Sequence, residues 1–140
     1  MGAVKQAVAL TILSVADGRE IVRRAEGELS IREGAVFVKY AEPDPEMGRT
    51  WTVLKIREGH IGVVRHGDVR SRQEFIPQRR TGGYYETSSV SLELTAFTHS
   101  IEMRLVRGLG TVCFSYDLSV MGEDVGRFTL KLHIAPASER

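Results

Sequence analysis

Residues 111–134 read TVCFSYDLSVMGEDVGRFTLKLHI, and this stretch decides the fold. Apolar side chains stand at every second position over 112–120, and the same alternation returns over 128–134. Side chains two residues apart lie on one face of a strand, so each arm buries one face and exposes the other. The Gly-Glu-Asp segment at 122–124 is typical of a tight turn. We therefore predict an antiparallel hairpin packed on a core.

An isolated hairpin is only marginally stable in water, so the rest of the chain must supply further strands. Short alternating or β-branched runs separated by glycine-containing turns meet this need, and no segment of ten or more residues shows helical periodicity. The predicted strands cover residues 4–16, 19–32, 35–40, 50–56, 60–65, 69–76, 84–87, 90–95 and 101–105, before the hairpin at 111–134.

Three positions depart from this regular pattern. Residues 41–49 carry two prolines, which lack the amide hydrogen that a sheet interior needs, so we predict a loop there. Gly27 lies inside the second strand and predicts a sharp bend or a bulge. Residues 79–83, which follow Pro77, are predicted as a connection.

About ten short antiparallel strands joined by short turns form a meander, and a meander must hide its edges. Closure into a barrel does so by pairing the first strand with the last. The sequence therefore predicts an all-β protein, a single closed up-and-down barrel of eight to ten strands spanning residues 1–140, with a polar tail over 135–140. A two-sheet sandwich is the alternative, but it usually needs long crossing connections, and only residues 41–49 could provide one.

Length and composition fit one globular domain. The chain has 140 residues, of which 42% are hydrophobic and 26% charged, and its net charge is +1. No global field attracts it to nucleic acid or to an anionic membrane, so we expect no membrane partner. The single cysteine, Cys113, cannot form an internal disulfide, which favours a reducing compartment, the cytoplasm. Lys5 and the apolar run at 7–16 resemble a short signal peptide, but their alternation favours a first strand.

The order of strands and turns resembles the YwiB-like family of uncharacterised bacterial proteins. The stretches that carry the resemblance are Gln-Glu-Phe at 73–75, Tyr-Glu-Thr at 85–87 and Leu-Glu-Leu at 92–94. Members tend to place a Thr-Pro-aromatic-Gly turn where this chain has Thr-Ser-Ser-Val at 87–90. The resemblance implies an intracellular barrel of lipocalin-like, or calycin, type. It brings no catalytic residues with it.

No enzyme motif emerges from the chemistry-bearing residues, so we expect no catalytic residues, cofactor or metal. The four histidines, His60, His66, His99 and His133, show no metal-ligand spacing. On one strand His60 and His66 share a face but lie ~20 Å apart. Surface histidines are the simpler interpretation.

A basic stripe covers residues 55–80, with seven basic residues against three acidic ones. It suggests a protein- or RNA-interaction module as an alternative function. These residues are spread over three strands with few aromatics between them, unlike a stacking platform for single-stranded nucleic acid. A solvated barrel wall explains them better. Its members are Lys55, Arg57, Arg65, Arg70, Arg72, Arg79 and Arg80.

The favoured function is non-catalytic binding of a small apolar or amphipathic ligand in the lumen, which requires a cavity of roughly 300 Å³. Tyr116 shares the phase of Phe114, so its ring is predicted to point inward, where its hydroxyl needs a partner. It is either a satisfied core tyrosine or a polar group of a ligand site. Arg72 is the candidate counter-charge, if its strand directs it inward. The candidate ligand-binding residues are Tyr40, Trp51, Arg72, Tyr85 and Tyr116.

Overall fold

A computed structural model describes residues 5–137, which form ten strands and one short 3₁₀ turn, Pro45–Met47. The strands are β1 Lys5–Ala16, β2 Arg19–Arg32, β3 Ala35–Ala41, β4 Thr50–Arg57, β5 His60–Gly67, β6 Arg70–Phe75, β7 Arg80–Glu86, β8 Ser91–Val106, β9 Leu109–Val120 and β10 Glu123–Pro136. No helix in this part of the chain is long and apolar enough to cross a membrane.

Each strand pairs with the next one in the sequence, and β1 pairs with β10 to close the barrel. All of these pairings are antiparallel. The prediction of a closed up-and-down barrel is therefore confirmed, and the two-sheet alternative is wrong. The deciding hairpin forms β9 and β10, where Leu130 lies opposite Phe114 and Phe128 opposite Tyr116.

The two alternating runs at 90–95 and 101–105 form one continuous strand, β8, rather than two. Thr98 pairs with Tyr116 and Ser100 pairs with Ser115, which leaves His99 between them as the extra residue of a β-bulge. A bulge shifts the side-chain alternation by one position, so even-numbered residues face inward before it and odd-numbered residues after it. This bulge explains why the apolar alternation changes phase between residues 90–95 and 101–105.

Gly27 makes no bulge, so that part of the prediction is wrong. The register between β1 and β2 runs through it without a shift, with Val8 opposite. A Cβ at this position would lie 2.8 Å from the Lys39 carbonyl oxygen and close to Leu10 and Tyr40. The glycine is therefore required because the neighbouring strands approach closely.

Strand β7 begins at Arg80, so the connection predicted over 79–83 is almost entirely strand. A Cβ at Gly83 would lie 2.3 Å from the carbonyl oxygen of Arg72, whereas one at Gly82 would meet nothing within 4 Å. The backbone of β6 approaches so closely that only glycine fits at 83.

Both ends of the described chain are in the barrel. Residues 5–16 form β1, as the alternation predicted, and residues 1–4 lie outside the described part. At the other end β10 extends to Pro136, which lies opposite Val8. Residues 135 and 136 therefore belong to the barrel and not to the polar tail predicted over 135–140. Residues 138–140 lie outside the described part.

The inward faces of the strands meet in one core. Its apolar members include Leu10, Val38, Ile56 and Ile134, each almost fully buried. A smaller set of buried side chains is polar, and part of it lies where β4 begins beside the loop at 42–49. There Thr50 and Thr52 are buried, and the Thr50 hydroxyl donates to the Met47 carbonyl oxygen. The lumen therefore has an apolar body with a polar layer at one end.

Candidate functional site

A cavity of about 210 Å³ lies inside the barrel, at the end covered by the 42–47 loop. Its apolar wall is built from alternate residues of β4, β5, β9 and β10. This wall includes Leu54, Ile56, Ile61, Val63, Val112 and Leu132. The period-2 pattern of each strand turns these residues inward. Together they form an apolar surface that an apolar ligand group can contact.

The cavity is smaller than the roughly 300 Å³ that the sequence-based prediction required, so that size requirement is not met and a drug-sized ligand does not fit. It exceeds the engineered cavities of about 150 Å³ that bind benzene. The lumen is therefore neither filled by side chains nor open to a large ligand. Its volume matches a ligand with one ring or a short chain.

Two charged side chains enter the lumen because they continue the inward phase of their strands. Arg65 follows Ile61 and Val63 on β5, and Glu42 follows Val38 and Tyr40 at the end of β3. Both line the cavity. Strand geometry alone places the two opposite charges at the same end of the barrel.

Glu42 and Arg65 form a nearly buried ion pair. Arg65 donates from Nε to Glu42 Oε2 across 3.3 Å, and the Thr52 hydroxyl donates to the same oxygen. The Glu42 side chain is 8% exposed and that of Arg65 is 26% exposed. A carboxylate so far from water needs such donors, since an unpaired buried charge is strongly destabilising.

Tyr40 lies beside this pair and is 5% exposed. Burial raises the pKa of its hydroxyl far above the usual value, and the nearby Glu42 carboxylate raises it further, while Arg65 partly offsets both effects. The hydroxyl lies near the side chains of Thr52 and Glu42. Tyr40 is therefore a neutral polar group that lines the cavity.

Tyr116 points inward, as its phase predicted, but it enters an aromatic cluster. Its ring centroid lies 4.6 Å from that of Phe75, 5.7 Å from Phe128 and 5.8 Å from Phe114. Burial raises the pKa of its hydroxyl, and the charge of Arg65 partly offsets that rise. The cation that Tyr116 experiences is thus Arg65, not Arg72.

The other three candidate residues lie elsewhere. Arg72 is exposed, because it alternates with the buried Ser71 and Gln73 and so faces outward. Trp51 is 49% exposed on the outer wall, with the Lys39 ammonium 5.4 Å from its ring centroid. Placing either one in the lumen was wrong.

Tyr85 is half-buried and lies opposite Ser71, on the inner face of β7. It is not part of the cavity wall described above, which is formed mainly by strands on the other side of the barrel. Of the five candidates, Tyr40 alone lines the cavity.

The 42–47 loop forms the lip of the cavity through Asp44 and Met47. Asp44 Oδ1 accepts from the Glu46 amide across 3.0 Å, and the Arg49 amide donates to Asp68 across 2.8 Å. On the facing side Arg23 of β2 approaches Asp44, with Nη2 and Oδ2 3.6 Å apart. These contacts fix the loop, and the Arg23–Asp44 contact joins it to β2 at the cavity wall.

The basic stripe is not one surface. Arg65 points into the lumen, Arg70 pairs with Glu86 at 3.5 Å, and the Lys55 ammonium lies 5.8 Å from the ring centroid of Phe37. Arg79 and Arg80 are exposed at the start of β7. The basic residues therefore point in different directions.

The histidines lie on the outer wall. His60 contacts Glu74 at 2.8 Å, and this contact holds the pKa of that carboxyl below its usual value. His99 contacts Asp117 at 2.9 Å, and His66 and His133 are exposed. Within residues 5–137 no three His, Cys, Asp or Glu side chains are grouped as metal ligands.

Sequence reasoning missed the two residues at the centre of the polar layer, although a signal was present. Arg65 was counted in the basic stripe, yet it continues the phase of Ile61 and Val63. Glu42 was assigned to a loop, yet it continues the phase of Val38 and Tyr40. Extending each alternation by one step past the apolar residues finds both.

The comparisons with known proteins agree with the barrel. The family model of a domain of unknown function, DUF1934, matches residues 9–132. The uncharacterised beta-barrel protein YwiB of Bacillus subtilis (strain 168) is 31% identical over 100 residues, which cover 71% of this chain and 70% of the relative. The crystal structure of the B. subtilis ywiB protein superposes with a TM-score of 0.83 at 25% identity, covering 96% of this chain and 94% of that one. This chain therefore belongs to the DUF1934, or YwiB-like, family of uncharacterised β-barrel proteins.

Proposed function

We propose that the protein binds one small amphipathic ligand in its lumen. The observation that carries this proposal is the cavity itself, an apolar space of about 210 Å³ with a buried ion pair, Glu42 and Arg65, at one end. An apolar chain or ring covers the wall, and the polar layer orients the head group. Pockets that combine an apolar surface with a few placed polar groups are typical ligand sites.

The energetic argument supports the same conclusion. Side chains around a void lose dispersion contacts, so an empty cavity lowers stability in proportion to its volume. A larger residue in place of Val63 or Leu130 would fill the space and remove this penalty. Because this chain has Val63 and Leu130 there, a bound ligand that restores the lost contacts would stabilise the folded protein.

In this proposal the barrel is a lipocalin-like container and not an enzyme. Glu42 and Arg65 are held by each other and by Thr52, which suits orientation rather than proton transfer. The lone Cys113 is compatible with action in the cytoplasm.

Two adjacent residues of β5 provide the test. Val63 lines the cavity and Val64 is exposed on the outer wall, so Val63→Phe fills the site while Val64→Phe adds the same ring outside. Mass spectrometry of denatured wild-type protein identifies any co-purified small molecule. That molecule should raise the Tm of the wild type and of Val64→Phe, because a ligand stabilises the native state to which it binds.

Val63→Phe should neither retain nor respond to that molecule. An equal response from both variants would place the ligand outside the lumen and overturn the proposal. So would wild-type protein that carries no small molecule and shows no Tm shift with short-chain amphiphiles.

A further inference from the structure

We infer that the ligand's head group is a planar oxyanion, a carboxylate or a group of the same shape and charge. This inference rests on the proposed function and specifies the chemistry of its polar end. It follows from the hydrogen-bond donors and acceptors that the polar layer leaves available to a ligand.

Arg65 has donors to spare. A guanidinium carries five N–H groups and cannot accept a hydrogen bond. Arg65 uses Nε toward Glu42, and its Nη1 lies 3.4 Å from the Ser71 hydroxyl. Among the described residues these are its only hydrogen-bond partners, so about three N–H groups remain for a ligand at the cavity.

The acceptors, in contrast, are partly used inside the protein. Glu42 Oε2 accepts from both the Thr52 hydroxyl and Arg65, and Asp44 Oδ1 accepts from the Glu46 amide. Among the described residues Glu42 Oε1 and Asp44 Oδ2 accept no hydrogen bond, so two carboxylate oxygens remain. A head group that donates therefore finds two free oxygens, whereas a head group that accepts finds about three N–H groups of Arg65 and those of Arg23.

A second guanidinium stands across the entrance. Arg23 also lines the cavity, and its 3.6 Å approach to Asp44 is longer than an ordinary hydrogen bond. Its side chain is 42% exposed, so it can turn toward a ligand at little cost. Arg23 from β2 and Arg65 from β5 thus offer donors from two sides of one space.

Shape selects among head groups. Each guanidinium has one acidic neighbour, so the polar layer is balanced in charge and its net field favours neither sign. A guanidinium matches a planar oxyanion through two parallel N–H donors. An alcohol accepts fewer hydrogen bonds, and an ammonium group accepts none. The available space limits the apolar part to a short chain or one ring.

Three chain-matched probes test the head group, hexanoate, 1-hexanol and hexylamine, titrated calorimetrically into the wild-type protein at pH 7. We expect hexanoate to bind at least ten times more tightly than 1-hexanol, and hexylamine to bind most weakly. Equal binding of hexanoate and 1-hexanol would overturn the oxyanion inference but leave the lumen proposal intact. If none of the three binds, short-chain amphiphiles are excluded and both proposals fail.

Variants then locate the donor. Arg65→Gln alone leaves the buried Glu42 carboxylate without its ionic partner, so the main variant is the pair Glu42→Gln with Arg65→Gln, which removes both charges together. Gln has the shape of Glu but is shorter than Arg. We expect it to bind hexanoate no better than 1-hexanol, while 1-hexanol binds as it does to the wild type. The matched control is Arg72→Gln on the outer wall, which should leave all three affinities unchanged. A double variant that still prefers hexanoate would overturn the assignment.

Discussion

The two sides of the lumen are filled differently. On one side four aromatic rings, Phe75, Phe114, Tyr116 and Phe128, pack with centroid distances of 4.6–5.8 Å. On the other, aliphatic residues of the same strand geometry leave about 210 Å³ empty. Phe114 belongs to both, because it contacts the cluster and lines the cavity. The fold therefore builds one interior, and side-chain size alone decides which part of it stays open.

The two buried tyrosines show the same contrast. Tyr116 is held by rings, and burial is the main influence on its hydroxyl. Tyr40 lies among polar groups, since the side chains of Thr52 and Glu42 are near its hydroxyl. One tyrosine fills space and the other belongs to a polar layer. Sequence periodicity treats them as equivalent because it reports only the direction of the side chain.

The largest effect should come from opening the filled side. Phe75→Ala removes a ring that contacts both Phe114 and Tyr116, and we expect a loss of about 3–5 kcal/mol in the free energy of unfolding. Leu130→Ala enlarges space that is already empty and partly exposed, so it should cost about 2 kcal/mol, at the lower end for such a truncation. Urea unfolding of both variants measures the difference. Equal losses would mean that the two sides are packed alike.

The wall of the filled side can be strained without touching the rings. Gly83→Ala places a Cβ against the Arg72 carbonyl, which cannot rotate away, so we expect a loss of about 3 kcal/mol, the upper end for overpacking. The adjacent Gly82→Ala is the control. A Cβ there meets nothing within 4 Å, and that variant should be as stable as the wild type or slightly more so. A tolerated Gly83→Ala would contradict the close approach of β6 and β7.

Removing each tyrosine hydroxyl separates the two environments. Tyr40→Phe should lower the free energy of unfolding by about 1–2 kcal/mol, because the buried Glu42 carboxylate loses a polar neighbour. Tyr116→Phe should change it by less than about 0.5 kcal/mol, since its ring lies among the aromatic rings of Phe75, Phe114 and Phe128. Thermal melts of both variants compare the two losses. A larger loss for Tyr116→Phe than for Tyr40→Phe would show that Tyr116, and not Tyr40, has polar partners.

The smallest effect lies outside both sides, on the outer wall. The Arg127 guanidinium, and next His99, lower the pKa of Asp117 to about 2. Because the folded value lies below the unfolded one, this contribution to stability is complete above about pH 4 and is lost as the pH falls through about 2. Asp117→Asn should therefore be slightly less stable than the wild type at pH 6, and the difference should vanish near pH 2. Urea titrations at several pH values measure it, with salt reducing the effect. A difference that persists at pH 2 would assign the effect to packing.

Much of the barrel could be predicted from the sequence, because period-2 alternation and turn residues are local signals. The hairpin at 111–134 is the clearest case. The errors at Gly27 and Gly83 have one cause, since both glycines accommodate a neighbouring strand that is distant in sequence. No local pattern reports how closely such a strand approaches.

The candidate site could be predicted only in part. The direction of Tyr40 follows from its strand, but the volume of the lumen depends on how side chains from six or more strands fit together. Arg65 shows the limit most clearly. Its phase pointed inward, yet grouping it by charge with residues 55–80 concealed that phase. Trp51 shows the reverse, since an amphipathic ring suggested a ligand site and strand phase placed it outside.

Closure of the barrel through β1 and β10 also constrains how the chain folds. Val8 pairs with Pro136, so the contact that completes the barrel joins residues separated by nearly the whole chain. Such long-range pairing makes folding slow, on the order of milliseconds to seconds. During synthesis at about 5–20 residues per second, the earlier hairpins stand with one edge unpaired for several seconds. The apolar interior is enclosed only when the last strand leaves the ribosome, so the nascent chain depends on fast hairpin turns and charged outer faces to avoid aggregation in that interval.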